Sequence, residues 1–281
     1  MVRTHAGPVL GRQARRLSGV FFSCLLLSCD FLTGPDDGLP VPRQTNDGWR
    51  TAAPARVGMD TGPLEDLLEQ ISETPDHRLH ALLIVKNGML VLEEYWPGTD
   101  LIPGTLEPVG QYFDRETLHY VASVSKSITS ALVGIALDRG LLDGVDLPLF
   151  EFYPEHAALE NDGKRGITLR HLLSFTSGYD WNEFVYGFGD PRDSHYQMFN
   201  TADPLGYLLG RPVTTEPGSV FHYNSGDTNL LGEVVRRVTS SSTLVDFADR
   251  NLFQPLGIED YDWIRFPLAD QVTFASGGAS L

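Results

Sequence analysis

The order of patterns along the chain predicts an α+β fold, with an antiparallel sheet flanked by helices and a mostly helical subdomain. Three observations carry this expectation. Two β-rich apolar runs, residues 79–86 and 89–96, flank Asn87-Gly88, and Asn-Gly between such runs is the strongest short-range hairpin signal. From Val121 onward the apolar residues recur mainly at helical spacing. A strand pattern returns only at residues 271–274, shortly before the sequence ends at Leu281.

Residues 1–28 read as an export leader. Arg3, Arg12, Arg15 and Arg16 precede an apolar run, residues 17–27, and no acidic residue comes before Asp30. A basic segment followed by a short apolar one is a signal-peptide pattern, too short to span a bilayer as a stable helix. Leu26-Leu27-Ser28-Cys29 resembles a bacterial lipobox, which makes Cys29 the candidate lipidation site and a lipid anchor the expected membrane contact; Leu27 is an unusual occupant of its slot, and ordinary signal-peptide cleavage is the alternative. Both cysteines, Cys24 and Cys29, fall at this end, so the body of the chain has no thiol chemistry of its own. The implied location is the bacterial envelope or periplasm.

Residues 29–50 are rich in Gly, Pro, Asp and Asn and read as a flexible tether, leaving residues 51–281 as the folded domain. A helix is expected over residues 62–71, then the hairpin, then a loop over residues 97–117. The pattern at Val121–Gly140 is a long apolar helix with a glycine stop. Further helices are expected over residues 167–175, with Thr168 as N-cap, and over 202–209, 230–238 and 243–252. Two early strands and one late one make a marginal sheet, so the sheet is expected to lack its C-terminal strands.

The formal charge of −16 argues against nucleic acid as a partner, since phosphate recognition needs clustered Lys and Arg. Against that acidic background Lys126 is conspicuous, being one of three lysines and lying inside an apolar helix pattern. Ser123 stands three residues before it. Residues three apart share a helix face, and a serine becomes a nucleophile when a neighbouring base takes its proton. The pair alone is a coincidence that any chain can carry, and its context decides.

That context resembles the β-lactamase-related serine hydrolases: class C β-lactamases, DD-peptidases, family VIII carboxylesterases and nylon-oligomer hydrolases. The carrying stretches are Glu93-Glu94-Tyr95, residues 123–140, LRHLLSFTSG at 169–178, PGSVFHYNSGDTNLLG at 217–232, and Pro255-Leu256-Gly257. The resemblance implies the fold of serine β-lactamases and penicillin-binding proteins. It also implies Ser123 as the acylated nucleophile, Lys126 as its lysine partner and Tyr223 as the tyrosine of a second motif, Tyr-x-Asn. Here the third position of that motif is Ser225, an implied substrate-binding residue, and Asn224 sits in the middle. A hydroxyl cannot present both a carbonyl and an amide as Asn does, which shifts the expectation from β-lactams toward esters and amides. The family's third motif, a Lys/His-x-Gly strand, has no counterpart after Gly277-Gly278, so the chain reads as a truncated member.

No cofactor and no metal is expected. His77 and His80, spaced His-x-x-His beside Asp76, lack a third ligand in sequence and read as surface histidines ahead of a strand. Asp143-Gly144-Val145-Asp146 lacks the remaining positions of a calcium loop. Asp180-Trp181 and residues 186–190 are candidate walls of a cleft. The expected function is therefore hydrolysis of a small ester, amide or peptide through an acyl-enzyme. The alternative is a non-catalytic envelope lipoprotein, or an inactive fragment, that retains the scaffold.

Overall fold

The structure, a computed structural model, describes residues 38–101, 108–186 and 189–281. The expected leader over residues 1–28 and Cys29 lie outside the described residues. One compact unit runs Leu39–Leu281. The expected tether boundary at residue 50 falls inside it: Leu39 is buried, and the Gln44 amide donates to Trp49 O at 2.6 Å.

Strand β1 (Arg50–Thr51) pairs in parallel with the hairpin that follows. Helix α1 (Gly62–Glu73) extends two residues past the expected end. The hairpin itself is β2 (Ala81–Lys86) and β3 (Met89–Tyr95), antiparallel. Asn87 and Gly88 take φ of 53° and 70°, positive at both turn positions as a two-residue hairpin of this twist requires. Sheet order is β1-β3-β2. Leu83 and Val85 on β2 stay about half exposed, whereas Val91 and Leu92 on β3 are fully buried.

The segment expected to be a loop carries a second small sheet, β4 (Gly98–Leu101) against β5 (Pro108–Gln111). These strands hold Gly, Pro and Asp and no apolar alternation, so no period-2 signal marked them. A 3₁₀ turn at Ala122–Val124 then leads into α2 (Ser125–Asp138). Ser123 therefore sits in the turn before the helix, not within it.

Helix α3 (Leu169–Leu173) is shorter than its pattern. Thr168 occupies its N-cap position, with the Thr168 N–H donating to His171 Nδ1 at 3.2 Å, but the Thr168 hydroxyl makes no hydrogen bond. Helix α4 (Ser194–Phe199) is capped by Asp193, which accepts from the backbone of His195 and Tyr196. Helix α5 (Pro204–Gly210) is capped by Asp203. Helix α6 (Ser225–Val238) begins five residues earlier than its apolar pattern, because the Asn224 side chain accepts from Gly226 N and Asp227 N and caps it there. Helix α7 (Leu244–Ala248) starts behind Thr243, whose hydroxyl accepts from Asp246 N.

The last stretch holds four short strands where one was expected. Strand β6 (Asp262–Trp263) pairs with β9 (Ala279–Ser280), and β7 (Arg265–Phe266) pairs with β8 (Ala269–Thr273).

Two helices form the centre of the core. Leu132, Val133 and Ala136 of α2 and Leu230, Leu231, Val234 and Val235 of α6 are buried in one cluster. Fully burying such side chains contributes about 1.5–3 kcal/mol each. At Gly232 a methyl group would stand 2.5 Å from Ala275 Cβ and 3.0 Å from Leu244 Cδ2. The missing side chain lets α6 approach the Ala275–Ser276 segment, which the site uses.

Candidate active site

Ser123 owes its position to a strained approach. Ala122 adopts φ of +45°, a left-handed conformation uncommon for a residue with a Cβ and held only where its surroundings enforce it. Ser125 supplies part of that enforcement. Its buried hydroxyl donates to Ala122 O at 2.6 Å and accepts from Ala279 N at 3.1 Å. On the other side Val121 N donates to Ala279 O at 3.1 Å, and His119 exchanges both backbone bonds with Leu281. The chain thus enters α2 clamped between its own helix and the last residues, with Ser123 left exposed.

Lys126 and Tyr223 converge on that serine. Lys126 Nζ lies 3.1 Å from Ser123 Oγ, and the Tyr223 hydroxyl donates to Ser123 Oγ at 2.8 Å. The Lys126 nitrogen also lies 4.9 Å from the Tyr223 ring centroid. A hundred residues separate Ser123 from Tyr223, and the contact between α2 and α6 brings them together.

The same two helices hold a third element against the site. Lys126 Nζ donates to Ser276 O at 2.6 Å, and Thr129 Oγ1 to Ala275 O at 2.8 Å. From α6, Asn229 Oδ1 accepts from Ser276 N at 3.0 Å while Asn229 Nδ2 donates to Ser276 Oγ at 3.1 Å. Sequence reading did not single out Asn229 or Ser276, since their pairing exists only across 47 residues of chain. The one hint was their position, inside the matched stretch at 217–232 and beside Gly277-Gly278.

Ser225 is placed differently from its expected role. It is 3% exposed. Its N–H donates to Glu183 Oε2 at 2.9 Å and its hydroxyl to Glu183 Oε1 at 3.0 Å. The same carboxylate accepts from Trp181 Nε1. A direct substrate contact through Ser225 is corrected accordingly: its hydroxyl is committed to anchoring the loop that carries Glu183. Asn224, in the middle of the motif, is only 2% exposed and serves as the α6 cap.

Behind this lies a buried carboxyl. Asp227 is fully buried, and burial pushes its pKa well above the usual carboxylate range, although the hydrogen bond from Ser177 opposes the shift. Its Oδ1 accepts from Ser177 Oγ at 2.9 Å and Asn224 Nδ2 at 3.0 Å, tying the loop after α3 to the start of α6.

The mouth of the site is aromatic. Phe175 packs 5.1 Å from Tyr223, Phe184 5.5 Å from Tyr223, and Phe221 6.0 Å from Phe175, measured between ring centroids. Phe184 and Phe221 are 76% and 66% exposed. A cleft of about 300 Å³ opens beside Lys126, lined also by Ser127, Ser130, Leu172, Phe175 and Leu231. Of the expected cleft walls, Trp181 is buried and Tyr186 lies under the Arg192 guanidinium at 4.2 Å. His80, expected on the surface, is instead half-buried against His119, with ring nitrogens 2.6 Å apart.

Comparison with known proteins places these features in a wider set. A family profile described as "Beta-lactamase" matches residues 64–276. A beta-lactamase of Escherichia coli (strain K12) is 28% identical over 163 residues, covering 58% of this chain and 39% of the relative. A lovastatin esterase of Penicillium rubens is 32% identical over 160 residues, covering 50% of this chain and 38% of the relative. The chain thus spans about two-fifths of the length of the curated relatives it matches. Among solved structures, simvastatin synthase from Aspergillus terreus superposes with a TM-score of 0.55 at 20% identity, covering 79% of this chain and 64% of that one. That likeness shows the fold, in line with the expected α+β architecture of serine β-lactamases and penicillin-binding proteins.

Proposed function

Because the chain belongs to the beta-lactamase family, we propose that it is a serine hydrolase that cleaves small esters or amides through an acyl-enzyme on Ser123. The observation that carries the reading is the convergence of a lysine amine and a tyrosine hydroxyl on one exposed serine oxygen, at 3.1 and 2.8 Å. Ser123 gives its proton to the Lys126–Tyr223 pair as Oγ bonds the substrate carbonyl carbon. Tyr223 returns a proton to the departing alcohol or amine as the carbonyl reforms. Water then attacks the Ser123 ester, releasing the acid and restoring the hydroxyl. Proton transfer by positioned groups of this kind contributes about 10²–10⁴ in rate. The Ser123 N–H stands at the N-terminal end of α2, where helix dipole and amide both favour a developing oxyanion.

Ester and amide substrates fit better than β-lactams. The Tyr-x-Asn position holds a serine whose hydroxyl is buried on Glu183, so the carbonyl-plus-amide pair of an asparagine is not offered there. The exposed rings of Phe184 and Phe221 favour an apolar acyl or alkyl group, since aromatic walls gain from covering apolar surface. The names of relatives such as the lovastatin esterase support the same class.

The test is turnover of p-nitrophenyl esters of increasing chain length. Ser123-dependent hydrolysis, with kcat/KM rising toward longer apolar chains and absent in Ser123→Ala, is expected. Equal turnover by wild type and Ser123→Ala would overturn the assignment. The leader pattern over residues 1–28 supports work in the bacterial envelope with Cys29 as lipid attachment point. Palmitate incorporation lost in Cys29→Ala would be the corresponding check.

A further inference from the structure

Away from the serine, three side chains distant in sequence meet at the end of the β2–β3 hairpin. His80 directly precedes β2, Asp100 lies on β4, and His119 lies four residues before Ser123. One candidate ligand atom from each lies within 4.8 Å of the others. We propose that His80, Asp100 and His119 form a site for a divalent first-row transition ion, with zinc as the reference ion.

The hydrogen bonds around the cluster orient it for that task. His119 Nδ1 faces the Tyr120 carbonyl at 3.1 Å and Asp100 Oδ2 at 3.5 Å. Both partners are acceptors, so the ring proton sits on Nδ1 and the Nε2 lone pair accepts from His80 Nδ1–H, the proton that a bound cation would replace. The Tyr120 carbonyl is the outer acceptor here: a ligand histidine donating its other N–H to a carbonyl is how protein metal sites fix the tautomer, and Asp100 is left for the ion. Nε2 points at His80 Nδ1, 2.6 Å away. Two imidazoles brought edge to edge beside a carboxylate are a borderline-soft donor set suited to zinc and its neighbours.

Asp100 is held just as firmly. Its side chain is 8% exposed; Oδ1 accepts from Leu101 N at 2.8 Å and Oδ2 from Tyr120 N at 3.0 Å. Each oxygen keeps a further lone pair. The His80 ring stacks flat on buried Phe113, 4.1 Å between centroids. It also lies against Gly98, where a Cβ would come within 2.4 Å of the ring. The His119 side chain is 37% exposed, which leaves an approach from water and room for solvent ligands. Metal–ligand bonds of about 2.0–2.1 Å set neighbouring ligand atoms about 3.3 Å apart in a tetrahedral site. Loading the site requires the two ring nitrogens, now 2.6 Å apart, to separate and the Asp100 carboxylate to turn toward them. Binding ties the start of β2 and β4 to the segment that delivers Ser123. This departs from the sequence expectation of no metal, because two of the three ligands, Asp100 and His119, lie beyond the reach of a His-x-x-His reading.

The full chain without an affinity tag is the material for the test. Zinc is titrated by competition with a chromophoric indicator, and cobalt is added separately to read its visible d–d absorption. One zinc per chain is expected in the wild type, with at least about tenfold weaker binding in His80→Gln and in Asp100→Asn. Cobalt bands of a low-symmetry nitrogen–oxygen site are expected in the wild type and lost in His80→Gln. Zinc is expected to raise the melting temperature of the wild type and not of His80→Gln. Wild-type binding no tighter than that of folded His80→Gln overturns the proposal. Should both variants fail to fold, featureless cobalt spectra of the wild type overturn it alone.

Discussion

Lys126 is held more closely by Ser276 than by Ser123: its Nζ lies 2.6 Å from the Ser276 carbonyl and 3.1 Å from the Ser123 hydroxyl. The carbonyl fixes the amine over the serine, and Asn229 in turn fixes Ser276 through two hydrogen bonds. Replacing Lys126 by Met keeps the stem and removes the amine. We expect kcat/KM on a p-nitrophenyl ester to fall about 10²–10⁴-fold, with a far smaller change in melting temperature. An active Lys126→Met enzyme would show that the amine takes no part.

Glu183 anchors the start of α6 from outside the helix. It accepts from Ser225 N, Ser225 Oγ and Trp181 Nε1, two residues after Tyr223. A glutamine at this position keeps one acceptor oxygen for the two N–H donors, and its amide can donate to the Ser225 hydroxyl. Glu183→Ala instead strands a buried N–H, which costs about 1–3 kcal/mol, and loosens Tyr223. Denaturant unfolding should find Glu183→Gln near wild type and Glu183→Ala clearly destabilised. Esterase kcat should fall by up to about 10²-fold in the alanine variant alone. Equal effects of the two substitutions would contradict this role.

Asp227 makes stability depend on pH in a defined sense. Burial raises its native pKa well above the usual value, so the folded chain keeps a proton that the unfolded chain has lost. The stabilising contribution is complete below the unfolded pKa, about 3.9, and declines as pH rises toward the native value, by up to about 1.4 kcal/mol per unit. Asp227→Asn retains the oxygen that Ser177 and Asn224 donate to and removes the titration. Urea unfolding at pH 5 and pH 7 should show the variant gaining on the wild type as pH rises. A constant difference between the two pH values would contradict a protonated Asp227.

Much of this architecture was legible from residue patterns because the signals were local. Asn87-Gly88 needs positive φ at two successive positions, and few other dipeptides accept it. Ser123 and Lys126 are one helical turn apart, so their meeting follows from spacing. Tyr223 was reached only through resemblance to a family, since no local rule joins it to a serine a hundred residues away. Strands of two to four residues, such as β4, β5, β6 and β9, carry too few positions to show alternation. Glu183 and Ser276 stayed invisible for another reason: each acts through backbone or side-chain bonds created by the tertiary fold. Asn224 shows the converse. Read by motif alone it looked displaced from its slot, whereas its side chain caps α6, the task to which asparagine is suited.

Activation of Ser123 by both Lys126 and Tyr223 is the feature on which the proposed activity depends. Intact-protein mass spectrometry after exposure to a fluorophosphonate measures that directly. One adduct per chain is expected, mapped to Ser123, absent from Ser123→Ala, and formed about 10²–10⁴-fold more slowly in Tyr223→Phe. Labelling that persists in Ser123→Ala, or proceeds at the wild-type rate in Tyr223→Phe, would contradict it.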